Sequence, residues 1–493
     1  MSEHQSSYRQ IFKATSLFGG VQVFNIILSI VRSKIIAVLL GPAGMGVAGL
    51  LTATTGLVAN LTNFGLGTSA VRDIAAANEA NNTERITRVI TVFRKLVWLT
   101  GFLGMIVTLI FSSYLSQITF GNKDYTLGFA LLSCTLLFTQ LISGQDVILQ
   151  GMRKLKQLAK ANMVAATLGL ATSVPLYYIY GKDGIIPAII VSSLTTLVVT
   201  WYFAKSVKVK SIDINLKQTI FEGKSMLKMG IMLSISGLIT VLVSYIVRIY
   251  ISNLGGIKDV GLYNAGFAII GTYVGLIFTA MGTDYYPRLT GVSNDNGKMT
   301  DLVNHQSEIA ILILSPILCV FLVFIKFVVL ILYSNEFIAV NEMVHWAAIG
   351  MYFKAISWSL GFIILAKGDT KVFLWNELSA NIYVLVFNIL GYKYWGLNGL
   401  GISFFLSYVV YLVQVYIVVS KKYNFLLLRS FYKIFVLQLI LGLLCFLNIR
   451  FIALPWAYLI GVVLIILSVA NSVMEMDKRL GIKNALKKFT KQK

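Results

Sequence analysis

Arg32, Arg248 and Lys354 each stand inside a long apolar run of the chain. A cation in such a run is costly against lipid, and it normally faces a cavity or a partner. Guanidinium binds phosphate through two parallel hydrogen bonds. The chemistry these residues could do is therefore non-covalent capture of a phosphate or diphosphate. Ile30-Val31-Arg32 recurs as Ile246-Val247-Arg248, and each Arg follows a lysine, Lys13 or Lys228, by roughly 30 Å of helix. The other reading is an outer-interface arginine that snorkels to water. Gly19-Gly20 favours the cavity: a helix break there would start the first span near Val21 and leave Arg32 in mid-membrane. Lys34, two residues on, points to a different face of the same helix. Lys354 precedes Lys367 by about 20 Å of helix; its structural partner would be Glu377 in the next helix, and substrate or coupling-ion work is the alternative. Lys326 lies nearer the outer face and is expected to snorkel.

Carboxylates are sparse in the apolar runs. Asp146, Glu377 and, at a helix end, Asp284 are the candidates for carrying H⁺ or Na⁺, and nothing in their spacing selects one. Arg72 and Arg288 sit at equivalent helix ends, where they set topology and could meet substrate phosphate as it comes in. No nucleophile–base pair appears, so an enzyme is not expected. Cys134, Cys319 and Cys445 stand alone, without metal or redox spacing. His345 has no second histidine at ligand spacing, so neither a metal nor a cofactor is expected. Gly44-Met-Gly-Val-Ala-Gly49 matches the dinucleotide fingerprint, but the flanking apolar spans forbid the strand that fingerprint needs; close helix packing is the better use of these glycines. Tyr352, Trp358 and Trp375 could stack on sugars or serve as packing.

The elements that must position these residues are membrane spans. The chain has 493 residues, 57% hydrophobic and 13% charged, with a mean hydropathy of +0.79. About fourteen apolar runs, from 17–40 to 453–473, each approach the 20 or so residues that a helix needs to cross a bilayer. The expected fold is an all-α integral membrane protein. Alternate loops hold about 32 of the 42 Lys and Arg, against about 8 on the other side, a bias that puts both termini in the cytoplasm. The net charge of +22 is then explained by an anionic inner leaflet, and no nucleic-acid partner is expected.

An internal repeat organises the spans. Gly46, Gly56 and Gly67-Thr68 recur 215 residues later as Gly261, Gly271 and Gly282-Thr283; Gly181 and Gly184 recur as Gly396 and Gly399. The offset covers six helices, so orientation is preserved and the halves are parallel, related by a pseudo-two-fold axis along the membrane normal. The expected domains are a six-helix bundle at 1–206, a linker at 207–228, a second bundle at 229–420, added helices 13 and 14 at 421–474, and a basic cytoplasmic tail at 475–493. Arg32 and Arg248 would face one another across a central cavity.

Gly41-Pro-Ala-Gly-Met-Gly-Val-Ala-Gly-Leu, Asn63-Phe-Gly-Leu-Gly-Thr-Ser-Ala-Val-Arg-Asp73 and Leu254-Gly-Gly-Ile-Lys-Asp-Val-Gly-Leu-Tyr263-Asn resemble signature segments of the polysaccharide-exporter branch of the MOP exporter superfamily. Within it, the chain is most similar to O-antigen and related repeat-unit flippases (the Wzx type). The resemblance implies a protein of the bacterial inner membrane that moves an undecaprenyl-diphosphate-linked oligosaccharide from the cytoplasmic to the periplasmic leaflet by alternating access. It also implies membrane lipids as partners, and a polysaccharide polymerase and chain-length regulator beside it. In related lipid II flippases an arginine at the point matching Arg32 lines the cavity. The competing readings are a cation-coupled drug antiporter of the same superfamily, which usually has twelve helices and more intramembrane carboxylates, and a membrane-bound glycan polymerase or ligase, which needs a large extracytoplasmic loop.

Overall fold

A computed structural model describes the backbone of residues 3–80, 82–207 and 212–480, with the side chains of these residues from Phe24 onward except those at 273, 276, 279, 280, 283 and 480. The basic tail beyond 480 and the side chains of Arg9 and Lys13 lie outside the described residues. Every element among the described residues is helical. In hydrocarbon each backbone N–H and C=O must be satisfied within its own segment, and a helix does this without neighbours.

Among the described residues ten helices are long and apolar enough to cross a membrane. Three of them are doubled. Gly41 (φ 63°) breaks the run Glu3–Thr62, a tight turn at Gly181–Gly184 divides Leu155–Tyr180 from Ile185–Ala204, and Gly396 (φ 56°) breaks Thr370–Tyr423. With the interrupted helix through Ile257–Ala268, the π-helix Ile269–Val274 and Leu276–Gly291, the fourteen expected spans are all present. The protein is a multi-pass membrane protein.

One expectation fails. The first helix runs unbroken through Gly19-Gly20, and Gly41 is its only non-helical residue. Two glycines cost a helix about 2 kcal/mol together, less than the open hydrogen bonds a break in lipid would leave.

The repeat recurs as backbone geometry. Gly41 (φ 63°) is matched at the same offset by Gly256 (φ 86°), Arg153 (φ 54°) by Gly368 (φ 69°), and Gly181 (φ 55°) by Gly396 (φ 56°). Lys154 N–H reaches back to the carbonyl of Leu149, and Asp369 N–H to that of Ile364, so the same turn is built twice. A Cβ on Gly184 would stand 2.2 Å from the Leu176 carbonyl oxygen, and one on Gly399 would stand 1.8 Å from that of Gly391. Both hairpins close only because these positions lack a side chain.

The described residues form two compact units, 1–261 with 332–334, and 262–331 with 335–493. In the first, Leu66, Ile74, Phe93, Leu96 and Ile148 form a buried core, and Leu51, Phe129, Leu132 and Tyr177 form another. The helix Leu216–Gly255 starts with an Asn215–Gln218 capping box and packs in this unit. It approaches the Asn63-Phe-Gly segment so closely that a Cβ on Gly65 would meet the Gly230 carbonyl oxygen at 2.2 Å. Hydroxyls tie helices across the apolar interior: Thr54 to Thr119 at 3.0 Å, and Thr119 to Tyr245 at 3.1 Å.

In the second unit the helix Asn341–Ala366 is buried along nearly its whole length, which makes it the central element. Gly350 and Gly401 let it lie directly on the helix that follows Gly396. The last two helices, Arg429–Phe451 and Trp456–Leu480, are joined by Gln438, whose amide donates to Asn471 and Ser472, each at 3.0 Å. Arg479 then anchors to the buried Glu308 at 2.7 Å.

Candidate functional site

In the first unit the candidate cations sit on two repeat-related helices. Arg32 lies nine residues before the break at Gly41, and Arg248 eight before the matching break at Gly256. At 1.5 Å per residue both Cα atoms are about 12–14 Å from the end of their helix, close to the middle of a hydrocarbon core about 30 Å thick. Arg32 is exposed and has neither an ion pair nor a hydrogen bond among the described residues. Arg248 is half-buried and donates to the carbonyl of Ser244 at 3.0 Å and to the Ser244 hydroxyl, which orients the guanidinium along its own helix. Lys34 is bound elsewhere: its ammonium donates to the carbonyl oxygen of Tyr333.

In the second unit three helices converge on Lys354. Its Nζ lies 5.2 Å from the centre of the Tyr408 ring, 5.7 Å from Phe404 and 5.8 Å from Phe278. The negative ring faces stabilise a desolvated ammonium, and no carboxylate pairs with it among the described residues. Glu377 accepts a hydrogen bond from the Tyr411 hydroxyl at 3.0 Å, and that hydroxyl accepts from Asn376 at 3.1 Å. Gln414 donates to Asn376 at 2.7 Å and to Ser379 at 2.9 Å. Tyr408 and Tyr411, ring centres 6.4 Å apart and edge to face, stand between the lysine cage and this polar cluster. The expected Lys354–Glu377 ion pair is not formed: tyrosines serve both groups.

The other candidates separate. Asp284 and Arg288 pair with one another at 3.1 Å, one turn apart and exposed. Arg72 pairs with its neighbour Asp73 at 2.9 Å. Asp146 is half-buried, and its Oδ1 is enclosed without a hydrogen-bond partner. Lys326 is exposed. Tyr352 is fully buried and packs on Gly442, whereas Trp375 is exposed. His345 Nε2 meets the carbonyl of Leu322 at 3.1 Å. The fingerprint glycines lie within helix, and Gly46 packs on the backbone of Ile257.

Sequence reading did not single out Phe278, Phe404, Tyr408, Tyr411, Asn376 or Gln414. A signal existed for the last two, since amide side chains in an apolar span are there to bond across helices. The rings carried none, because aromatic residues fill most spans of this chain.

A family described as polysaccharide biosynthesis protein matches residues 35–342, more than half of the chain. The chain is 25% identical over 340 residues to a protein of Shigella flexneri named putative O-antigen transporter, covering 68% of this chain and 79% of that one. It is 22% identical over 384 residues to the lipid III flippase of Escherichia coli strain K12, covering 77% and 90%. Its fold is that of lipid II flippase MurJ in an inward closed conformation (TM-score 0.70, 14% identity, 94% of this chain and 99% of that one). It is also that of an inward-facing multidrug resistance MATE transporter of the MOP superfamily (TM-score 0.65, 17% identity, 84% and 96%). By the extent of the family match, carried on the fold of the MOP-superfamily transporters, this chain belongs to the polysaccharide biosynthesis protein family.

Proposed function

We propose that the protein is a flippase that moves an undecaprenyl-diphosphate-linked oligosaccharide, an O-antigen or related repeat unit, from the cytoplasmic to the periplasmic leaflet by alternating access. The observation that carries the reading is the cationic character of its membrane interior, seen in a chain whose relatives are named O-antigen transporter and lipid III flippase. Lys354 stands in its ring cage with no acidic partner among the described residues, and Arg32 is likewise unpaired there. A diphosphate matches such groups; a cationic drug does not.

In this reading Arg32, Arg248, Lys34 and Lys354 are the cations that contact the diphosphate during the cycle. Arg72 and Arg288 receive it at the cytoplasmic surface. Asp146, Asp284 and Glu377 are the carriers available for H⁺ or Na⁺ coupling, with Glu377 favoured by its partner Tyr411, whose hydroxyl accepts in turn from Asn376. The protein resides in the bacterial inner membrane with both termini in the cytoplasm, as the loop charges require. The equivalent halves are 1–206 and 229–420, joined at 207–228, and 421–474 is the added pair. A polysaccharide polymerase and a chain-length regulator are the protein's proposed partners.

Complementation tests this. A strain lacking its own O-antigen flippase should regain surface glycan when this chain is expressed with the matching glycosyltransferases. Membrane-inserted protein with no surface glycan, together with rescue of a drug-sensitive strain, would replace the reading with drug antiport.

A further inference from the structure

The first unit has a second cationic site, distinct from every residue assigned above to transport. A cleft of about 660 Å³ opens between the helices Thr83–Ile110, Thr126–Gly151 and Ile185–Ala204, lined among others by Arg94, Trp98, Leu141, Gln145, Trp201 and Lys205. That volume suits a small ligand or headgroup. Among the described residues no carboxylate lines it. Arg94 is half-buried and makes no ion pair or hydrogen bond among the described residues. Lys205 lies 3.5 Å above the Trp201 ring, which holds its ammonium at the cleft and leaves its donors open. Trp98 and Trp201 are 47% and 51% exposed.

Depth decides what such a cleft meets. The helix Ile185–Ala204 ends immediately before Lys205, so the lysine sits where a span leaves hydrocarbon, and Trp201 lies one turn inside, at the level of an interfacial aromatic belt. Leu141, Leu197 and Val198 continue the cleft as an apolar wall. Two cations at headgroup level over an apolar wall match a molecule with an anionic head and hydrocarbon tails. We infer that this cleft binds the headgroup phosphate of an anionic glycerophospholipid, through Arg94 and Lys205, with its acyl chains against the Trp98 and Leu141 side.

The inference is tested by native mass spectrometry of the detergent-purified full chain, offered dioleoyl phosphatidylglycerol and dioleoyl phosphatidylcholine in equal amounts. The protein should retain phosphatidylglycerol by roughly tenfold over phosphatidylcholine, as two interfacial cations would produce. Arg94→Gln with Lys205→Gln should bring the ratio near one, while Lys182→Gln, an exposed lysine outside the cleft, leaves it unchanged. If the double variant is not monodisperse, Lys205→Gln alone, at an exposed position, should lower the ratio several-fold. Equal retention of the two lipids by the unaltered protein would overturn the inference, as would a full preference surviving in the variants. So would undecaprenyl phosphate outcompeting phosphatidylglycerol at this cleft, which would make it a transport-lipid site. None of these outcomes depends on whether the protein flips glycans, so failure here leaves the transport reading standing.

Discussion

Gly46 and Gly261, 215 residues apart, lie against one another's backbone. A methyl group on Gly46 would stand 2.0 Å from the carbonyl oxygen of Ile257; one on Gly261 would stand 1.8 Å from that of Pro42 and 2.9 Å from the Gly46 nitrogen. The obstructing atoms are main chain and cannot swing away. Gly46→Ala and Gly261→Ala should therefore each destabilise the protein by about 1–3 kcal/mol, read as a lower melting temperature in detergent. Gly56→Ala, whose Cβ would meet open space, should be neutral or gain up to about 1 kcal/mol. Equal melting of the three variants would mean that the contact does not hold the fold.

The duplicated turns make a paired prediction. Gly396 at φ 56° and ψ −138° and Gly181 at φ 55° and ψ −126° occupy backbone open essentially to glycine, so alanine at either should cost a similar amount, about 1–3 kcal/mol. At the pair 153 and 368 the residues differ: Gly368 fits its left-handed turn, whereas Arg153 holds φ 54° with a side chain. Arg153→Gly should be neutral or stabilising by up to about 1 kcal/mol, since its ion pair with Glu79 is exposed and worth little. A clear loss of stability in Arg153→Gly would mean that the ion pair, not the backbone, dominates there.

How much of this was legible in the chain follows from what each feature depends on. Span positions depend on local hydropathy, and the repeat on glycines that a turn needs, as at Gly181 and Gly396, or that a close backbone contact needs, as at Gly46 and Gly261; both survive in a single sequence. Whether Gly19-Gly20 breaks a helix depends on the hydrogen-bonding environment, and the glycine pair alone pointed the wrong way. Lys354 was visible as a deep charge, but its cage of Phe278, Phe404 and Tyr408 is assembled from helices up to 130 residues apart in sequence. Glu377 was visible too, yet its partner Tyr411 lies beyond the Gly396 break. Pairing across helices is a tertiary fact, so Glu377, the carboxylate of the next helix, was not the partner of Lys354.

Lys354 separates charge from packing. Lys354→Met keeps an apolar stem against the rings and removes the ammonium. If the charge holds substrate phosphate, both Lys354→Met and Lys354→Ala should lower glycan display about 10–100-fold, the worth of a hydrogen bond to a charged group, with normal membrane levels. Activity retained by Met and lost by Ala would assign the residue to packing.

At Arg32 and Arg248 the geometry of the donor matters. Alanine at either should stop display at normal protein level, and lysine should restore it only in part, because an ammonium keeps the charge but loses the planar fork. Full rescue by lysine at both positions would reduce their role to charge alone.

Acid should weaken one surface anchor. Asp369 caps the helix Thr370–Tyr423 through Val372 N–H at 3.3 Å, and the Lys422 ammonium beside it holds its carboxyl below the usual value. A depressed folded pKa stabilises above the unfolded value, about 3.9, and that stabilisation is lost as pH falls through the folded one. Asp369→Asn keeps a capping acceptor and drops the charge. Its melting temperature should lie below that of the unaltered protein at pH 7, and the gap should close below about pH 4. A gap that widens on acidification would contradict the assignment.

The central claim is movement of a lipid-linked diphosphate glycan between leaflets, and reconstitution measures it directly. Purified protein is placed in vesicles carrying a fluorescent undecaprenyl-diphosphate oligosaccharide, and a membrane-impermeant quencher reports which leaflet holds the label. The account predicts that the unaltered protein exchanges the protected pool within the assay, that the Arg32→Ala, Arg248→Ala and Lys354→Ala triple variant leaves it protected as in empty vesicles, and that a neutral prenyl alcohol is not moved. A protected pool unchanged by correctly folded protein, under H⁺ and Na⁺ gradients of either direction, would contradict it.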